Sequence, residues 1–292
     1  MMLARLRRWG ELVTFSHTIF ALPFAASAVV LALAEPHVPL TPLRVLAMLG
    51  CMVAARTSAM AFNRWADRDV DAKNPRTKGR PVPSGRTAPG EALALALGSG
   101  LAFCLLAATL GFWPMVLAPP VLLVLLGYSL AKRFTWAAHA WLGLALALAP
   151  GGAWIATGAA PNVGIVLLMI AVITWLFGFD VLYALQDEAF DRAEGLRSVP
   201  ARFGARRAMV LAGVAHVATI ACLLGTALTL GRGPIFLGGV ALVAVILVVE
   251  HRLVRGKGGE ADLAKIPKAF FDCNAYVSMG FFAATLIDAV VR

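Results

Sequence analysis

Two short ladders of oxygen-bearing side chains recur in this 292-residue chain with the same internal spacing. Asn63, Asp67 and Asp71 form the first. Tyr183, Asp187 and Asp191 form the second, each 120 positions after its counterpart. Residues four apart on a helix stack on one face, so each ladder projects its groups in one direction. Only 16 Asp and Glu residues occur in the whole chain, and seven of them fall within 67–71 or 187–194. Carboxylates gathered in this way at the ends of apolar helices suit Mg²⁺ and, through it, a phosphorylated substrate.

The residues around each ladder carry the same chemistry further. After Asp71 come Lys73, Arg76, Lys78 and Arg80 in a Gly/Pro-rich segment, with Pro75 expected to end the helix. Carboxylates beside such cations fit a metal-bound diphosphate: the acids hold metal while Arg and Lys bind phosphate oxygens. Asp69 points off the shared face and is expected to be solvated. Taken alone this is an ordinary charged loop; the second ladder at equal spacing raises it to a candidate site. In the second cluster Asp180 precedes Asp187 by seven residues and shares its face. An acid so deep in an apolar run is costly and usually faces a polar cavity. Arg56, seven residues before Asn63, likewise needs an anionic partner, either a protein carboxylate such as Asp180 or an anionic substrate. Tyr128-x3-Lys132-Arg133 reads from sequence alone as an interfacial anchor. His17, His139, Asn274 and Ser278 are polar residues in or near apolar runs, suited to lining a cavity or bonding between helices, and no metal spacing links the histidines.

The elements that must position these groups are membrane-spanning helices. Hydrophobic residues make up 60% of the chain and the mean hydropathy is +0.80. Apolar runs of about 17–25 residues cross a bilayer core of roughly 30 Å. Nine are expected, at about 17–34, 43–62, 91–112, 114–131, 136–157, 163–183, 207–230, 234–250 and 270–290, with a tight hairpin around Gly111–Pro114. Of 26 Lys and Arg, 22 fall in segments on one side and three (Arg44, Arg232, Arg292) on the other, Arg56 lying within a span. The charge bias puts the N-terminus and both acidic clusters in the cytoplasm and the C-terminus outside. The net charge of +10 is then mostly a topology signal with a secondary pull on anionic head groups or diphosphates. Nucleic-acid binding fits poorly, because the basic residues are spread over membrane loops. The four cysteines have no CxxC pairing, which disfavours a disulfide framework or zinc site. The basic N-terminus with its apolar run is read as a first helix rather than a signal peptide. Residues 1–292 are expected to form one domain.

The two acidic motifs, the Arg-Pro-Val-Pro-Ser-Gly turn at 80–85, the Tyr128-x3-Lys132-Arg133-Phe134-Thr135 element and the nine-span layout together resemble the UbiA superfamily of intramembrane prenyltransferases. Three finer segments resemble its quinone-pathway members: Phe15-Ser-His-Thr-Ile-Phe-Ala-Leu-Pro23, Ala149-Pro-Gly-Gly-Ala-Trp154 and Leu196-Arg-Ser-Val-Pro-Ala-Arg-Phe-Gly204. Arg197 is a departure, since many members have Lys before the Ser. The resemblance implies an all-α, UbiA-like integral membrane bundle with a central cavity, in the inner (plasma) membrane of a bacterium. It implies Mg²⁺ held by Asn63, Asp67, Asp71, Asp187 and Asp191, and a polyprenyl diphosphate whose remaining charge is taken by Arg80 and Lys132, with Lys73 and Arg197. Tyr128 and Tyr183 would shelter the allylic cation. Asp180 or Asp191 would orient a phenol or take its ring proton, and Arg56 would hold an acceptor carboxylate. The implied acceptor is a hydroxylated aromatic acid, 1,4-dihydroxy-6-naphthoate slightly ahead of 4-hydroxybenzoate, in menaquinone or ubiquinone biosynthesis. The alternatives are a chlorophyll, haem or lipid precursor as acceptor or, in another class, a membrane transporter; the nearly uncharged outer loops speak against the last.

Overall fold

The computed structural model describes residue 10 and residues 18–256 and 261–292. His17, the first three residues of the segment 15–23, Arg5, Arg7, Arg8 and Lys257 lie outside the described residues. The described chain is helical, and an isolated bridge between Arg255 and Ala261 is its only β-type pairing. The helices are α1 (Thr18–Ala32), α2 (Pro42–Ala66), α3 (Arg68–Lys73), α4 (Pro89–Thr109), α5 (Phe112–Ala131), α6 (Ala138–Ala156), α7 (Val163–Ala184), α8 (Glu188–Ala193), α9 (Val199–Phe203), α10 (Ala205–Thr229), α11 (Pro234–Val254) and α12 (Asn274–Val291). Among the described residues eight helical stretches are long and apolar enough to cross a membrane, and α1 is a ninth, shorter apolar helix. The expected spans and the observed helices agree to within a few residues. The hairpin between α4 and α5 turns on Gly111 at φ +130°, a conformation that needs glycine.

The helices gather into two compact units. The first covers Leu40–Leu130 among the described segments. Here α2 packs along α4. The contact is made by small residues: Ala61, Ala92 and Ala96 are buried together with Val82 of the following loop. Small side chains let backbones approach where lipid supplies no hydrophobic drive between helices. Ser58 Oγ donates to the Ala96 carbonyl at 2.7 Å across this contact.

The second unit covers Ile19–Pro39 and Ala131–Arg292. In it α7 packs between α6 and α10, and α11 packs on α12. Trp154, Trp175, Phe24, Phe236 and Phe281 fill its core. Polar ties cross this core: Trp175 Nε1 donates to Asn274 Oδ1 at 2.9 Å, and Asn274 Nδ2 donates to Glu250 Oε1 at 2.8 Å. Asn274 thus bonds between helices, while Ser278 Oγ donates to the Ala275 carbonyl within its own helix. Gly143 of α6 faces the Ile173 carbonyl of α7 so closely that an added Cβ would lie 2.6 Å from that oxygen. A π-helical turn at Ala269–Cys273 leads into α12.

Candidate active site

The first half-site is built where α2 stops. Asp67 closes α2 and opens α3 with φ −92° and ψ 5°, values of the sparsely used bridge region. The backbone bonds continue through the break: Asp67 N–H donates to Asn63 O at 2.9 Å and Asp71 N–H to Asp67 O at 2.7 Å. The expected shared face therefore survives, and Asn63 Nδ2 donates to Asp67 Oδ2 at 2.7 Å. Asp71 is 5% exposed. A carboxylate that buried needs a charge or hydrogen-bond partner. Arg80 supplies it, one guanidinium nitrogen lying 2.7 and 2.8 Å from the two Asp71 oxygens. Arg80 reaches back because Val82, two residues on, is anchored beneath the loop against Ala61, Ala92 and Ala96. Thr77 Oγ1 donates to the Asp71 carbonyl at 3.1 Å and braces the same turn. Asn74 caps α3 just before Pro75. Asp69 is solvent-exposed beside Arg68, and Lys73 is exposed at the helix end. Tyr128 lies within electrostatic reach of both Arg56 and Arg64.

The second half-site repeats the break. α7 gives way to a 3₁₀ turn at Leu185–Asp187, and Asp187 opens α8 with φ −103° and ψ 2°. Asp187 and Asp191 are 7% and 2% exposed. Lys132 Nζ sits 3.2 Å from Asp191 Oδ2. The Lys132 carbonyl also accepts from the Arg197 N–H at 2.7 Å, and the Phe134 carbonyl accepts from the Arg197 guanidinium at 2.6 Å. The segment after Tyr128 is thereby clamped to the loop after Asp191, and one Arg197 nitrogen is occupied in the clamp. Tyr183 lies with its ring centroid 4.1 Å from that of Phe270, which the π-helical turn carries. Asp180 is held by His139 of α6, whose Nδ1 is 2.6 Å from Asp180 Oδ2.

Two residues of these half-sites escaped the sequence reading. Arg64, 7% exposed, lies within electrostatic reach of Asp67, Asp71 and Arg80. Its signal was present: it precedes Asp67 by three residues and Asp71 by seven, so it shares their face. His139 reads from the sequence only as a polar residue in a span. Its partner is 41 residues away, and nothing local marks the pair.

Residues 21–274 match the UbiA prenyltransferase family. The chain belongs to that family. This UbiA-family protein is therefore an integral membrane prenyltransferase. It is 31% identical over 239 residues to the 4-hydroxybenzoate octaprenyltransferase of Aromatoleum aromaticum (strain EbN1), covering 82% of this chain and 79% of the relative. With the enzyme of the same name from Vibrio campbellii it shares 30% over 281 residues, 95% of this chain and 92% of that one. The apo structure of a UbiA homolog from Aeropyrum pernix K1 superposes with a TM-score of 0.82 at 30% identity, covering 93% of this chain and 98% of the other. A UbiA homolog from Archaeoglobus fulgidus bound to GPP and Mg²⁺ shares the fold, with a TM-score of 0.75 at 17% identity over 97% of this chain and 99% of that one.

Proposed function

We propose that this protein transfers a polyprenyl group from a polyprenyl diphosphate to a ring carbon of a hydroxylated aromatic acid, with Mg²⁺ as the required ion. The observation that carries the reading is the pair of acidic ladders, in which the buried Asp71 and the buried Asp191 are each already matched to a cation from a neighbouring segment, in a chain of the prenyltransferase family. The donor set fits Mg²⁺: Asn63, Asp67, Asp71, Asp187 and Asp191 offer hard oxygen atoms only. Among the described residues no three His, Cys, Asp or Glu side chains gather into a metal cage. Mg²⁺ suits such a set, because it is commonly held by one or two carboxylates together with substrate phosphate and water. Bound there, Mg²⁺ would neutralise the diphosphate and favour its departure.

The chain's own groups do the rest. Arg80 and Lys132, with Lys73 and the free edge of Arg197, take the phosphate charge that grows as the allylic C–O bond breaks. Tyr128 and Tyr183 offer π-faces to the cation that remains. Tyr183 is suited to this because its ring is fixed against Phe270. Arg56 receives the acceptor carboxylate. The spans exclude water that would otherwise quench the cation. The names of the relatives move 4-hydroxybenzoate ahead of 1,4-dihydroxy-6-naphthoate as acceptor. Purified enzyme given one labelled diphosphate and each aromatic acid in turn tests this; product with 4-hydroxybenzoate is expected, and product with the naphthoate alone reverses the assignment. The split of 22 Lys and Arg on one side against three on the other supports a bacterial inner-membrane protein with both ladders on the cytoplasmic side. Single cysteines at Ser84 and Ala193 in a Cys-free background should resist an impermeant thiol reagent applied outside intact cells; labelling of either overturns that orientation.

A further inference from the structure

His139 lies at the start of α6, is fully buried, and has a different partner on each ring nitrogen. Nε2 is 3.3 Å from the backbone nitrogen of Val199. Nδ1 is 2.6 Å from Asp180 Oδ2. A backbone N–H only donates, so Nε2 is the acceptor and the ring carries its proton on Nδ1. That proton is directed at Asp180. The Val199 amide belongs to the first turn of α9, where N–H groups have no partner within the helix. The imidazole thus fills a need of the 196–204 loop with one nitrogen and fixes a carboxylate with the other. Phe177 closes one side of the ring, edge-on at 6.4 Å between centroids.

The result is a carboxylate with one oxygen tied and the other without a hydrogen-bond partner among the described residues. Its side chain is 21% exposed, so that oxygen is not sealed in the helix packing. Asp191, by contrast, is 2% exposed and engaged by Lys132. Asp180 lies within α7, seven residues before Asp187, with the 3₁₀ turn Leu185–Asp187 between α7 and the ladder's acids.

We infer that Asp180 is the base that removes the acceptor's ring proton and that His139 is the positioning residue that aims it. This rests on the aromatic acceptor proposed above. The C1–O bond of the diphosphate breaks and its electron pair leaves with the diphosphate. A ring carbon forms the new bond to C1. The proton on that carbon moves to Asp180 Oδ1, and the C–H electron pair returns to the ring. Asp180 then gives the proton to solvent.

Three variants test the inference. Asp180→Asn keeps an acceptor for the His139 proton but cannot take a second one. His139→Leu removes the donor. His139→Asn places an amide N–H near the position of Nδ1–H. Asp180→Asn should lower kcat by about 10²–10⁴-fold, and His139→Leu by roughly 10–150-fold, the worth of a hydrogen bond to a charged group. The diphosphate KM should stay put in both. With acceptor deuterated at the reacting carbon, wild type should show no primary isotope effect and both variants should show one, because proton removal has become slow. His139→Asn should recover most of the rate. Nitrogen NMR of the labelled wild-type ring should show Nδ1 protonated and Nε2 bare, whatever the acceptor. Wild-type turnover in Asp180→Asn, absence of an isotope effect in either variant, or a proton on Nε2 overturns the inference. So does a His139→Leu protein that loses folded yield but turns over normally. If wild type makes product with neither aromatic acid, the acceptor reading falls and the base role with it, while the nitrogen spectrum still decides the tautomer.

Discussion

In the first half-site a membrane helix ends at Asp67 and hands over to the six-residue α3; in the second a membrane helix ends before Asp187 and hands over to the six-residue α8. The two acids at the breaks have nearly the same backbone angles, and the acids one turn further on, Asp71 and Asp191, are both buried and both paired with a cation from a neighbouring segment. In the two turns before each ladder the likeness ends. The first half has Arg56 where the second has Leu176, and the second has Asp180 where the first has Met60. The shared part is the part that a diphosphate would need from either half. Among the parts that differ are one cation and one acid, and those are what distinguish an anchoring group from a proton acceptor in an otherwise apolar setting.

If the ladders are equivalent, breaking either should be equally severe. Asp67→Ala and Asp187→Ala should each lower turnover by at least ~10²-fold, the scale for losing an electrostatic stabiliser, and EDTA should abolish activity. Full activity in either variant or in EDTA would falsify the equivalence. Arg56 sharpens the contrast between the halves: Arg56→Ala should raise the acceptor KM by roughly 10–150-fold and the diphosphate KM far less. Equal effects on both constants would remove its acceptor role. The cations beside the ladders should matter alike and more modestly, since Arg80 and Lys132 are partly exposed. Arg80→Gln and Lys132→Gln should each raise the diphosphate KM about tenfold, read from initial rates at saturating acceptor; a rise in one alone would mean the diphosphate leans on one half. The smallest effect separates the two loops. Ser198 Oγ accepts from the Ala201 N–H and caps α9, whereas the first loop is anchored by Val82. Ser198→Ala should cost about 1 kcal/mol of stability, measured by unfolding in detergent, with little change in KM.

The spans were legible because a bilayer demands long apolar runs, and the ladders because four-residue spacing survives any helix. What the spacing could not show was the break at Asp67 and Asp187. No Pro or Gly marks either position, and the backbone bonds run on past Asp67 into Asp71. The clamp of Arg197 on Lys132 and Phe134 was hidden for another reason: it joins segments more than 60 residues apart, and both of its acceptors are main-chain carbonyls, which every residue carries. The same holds for His139 and Asp180, each visible as a polar residue in an apolar run while their contact belongs to the packing of α6 on α7. The gathering of helices into two units has no local signature in the chain.

Gly143 sits one turn after His139 on the same face of α6, against the carbonyl of Ile173. It acts as a spacer of zero thickness, and the reach of the imidazole across to α7 is set by it. Any larger residue there would wedge the two helices apart and lengthen the 2.6 Å link to Asp180 while leaving every ionisable group in place. An inherited or engineered change at this silent, uncharged position would then look like a catalytic lesion although no chemical group had been altered.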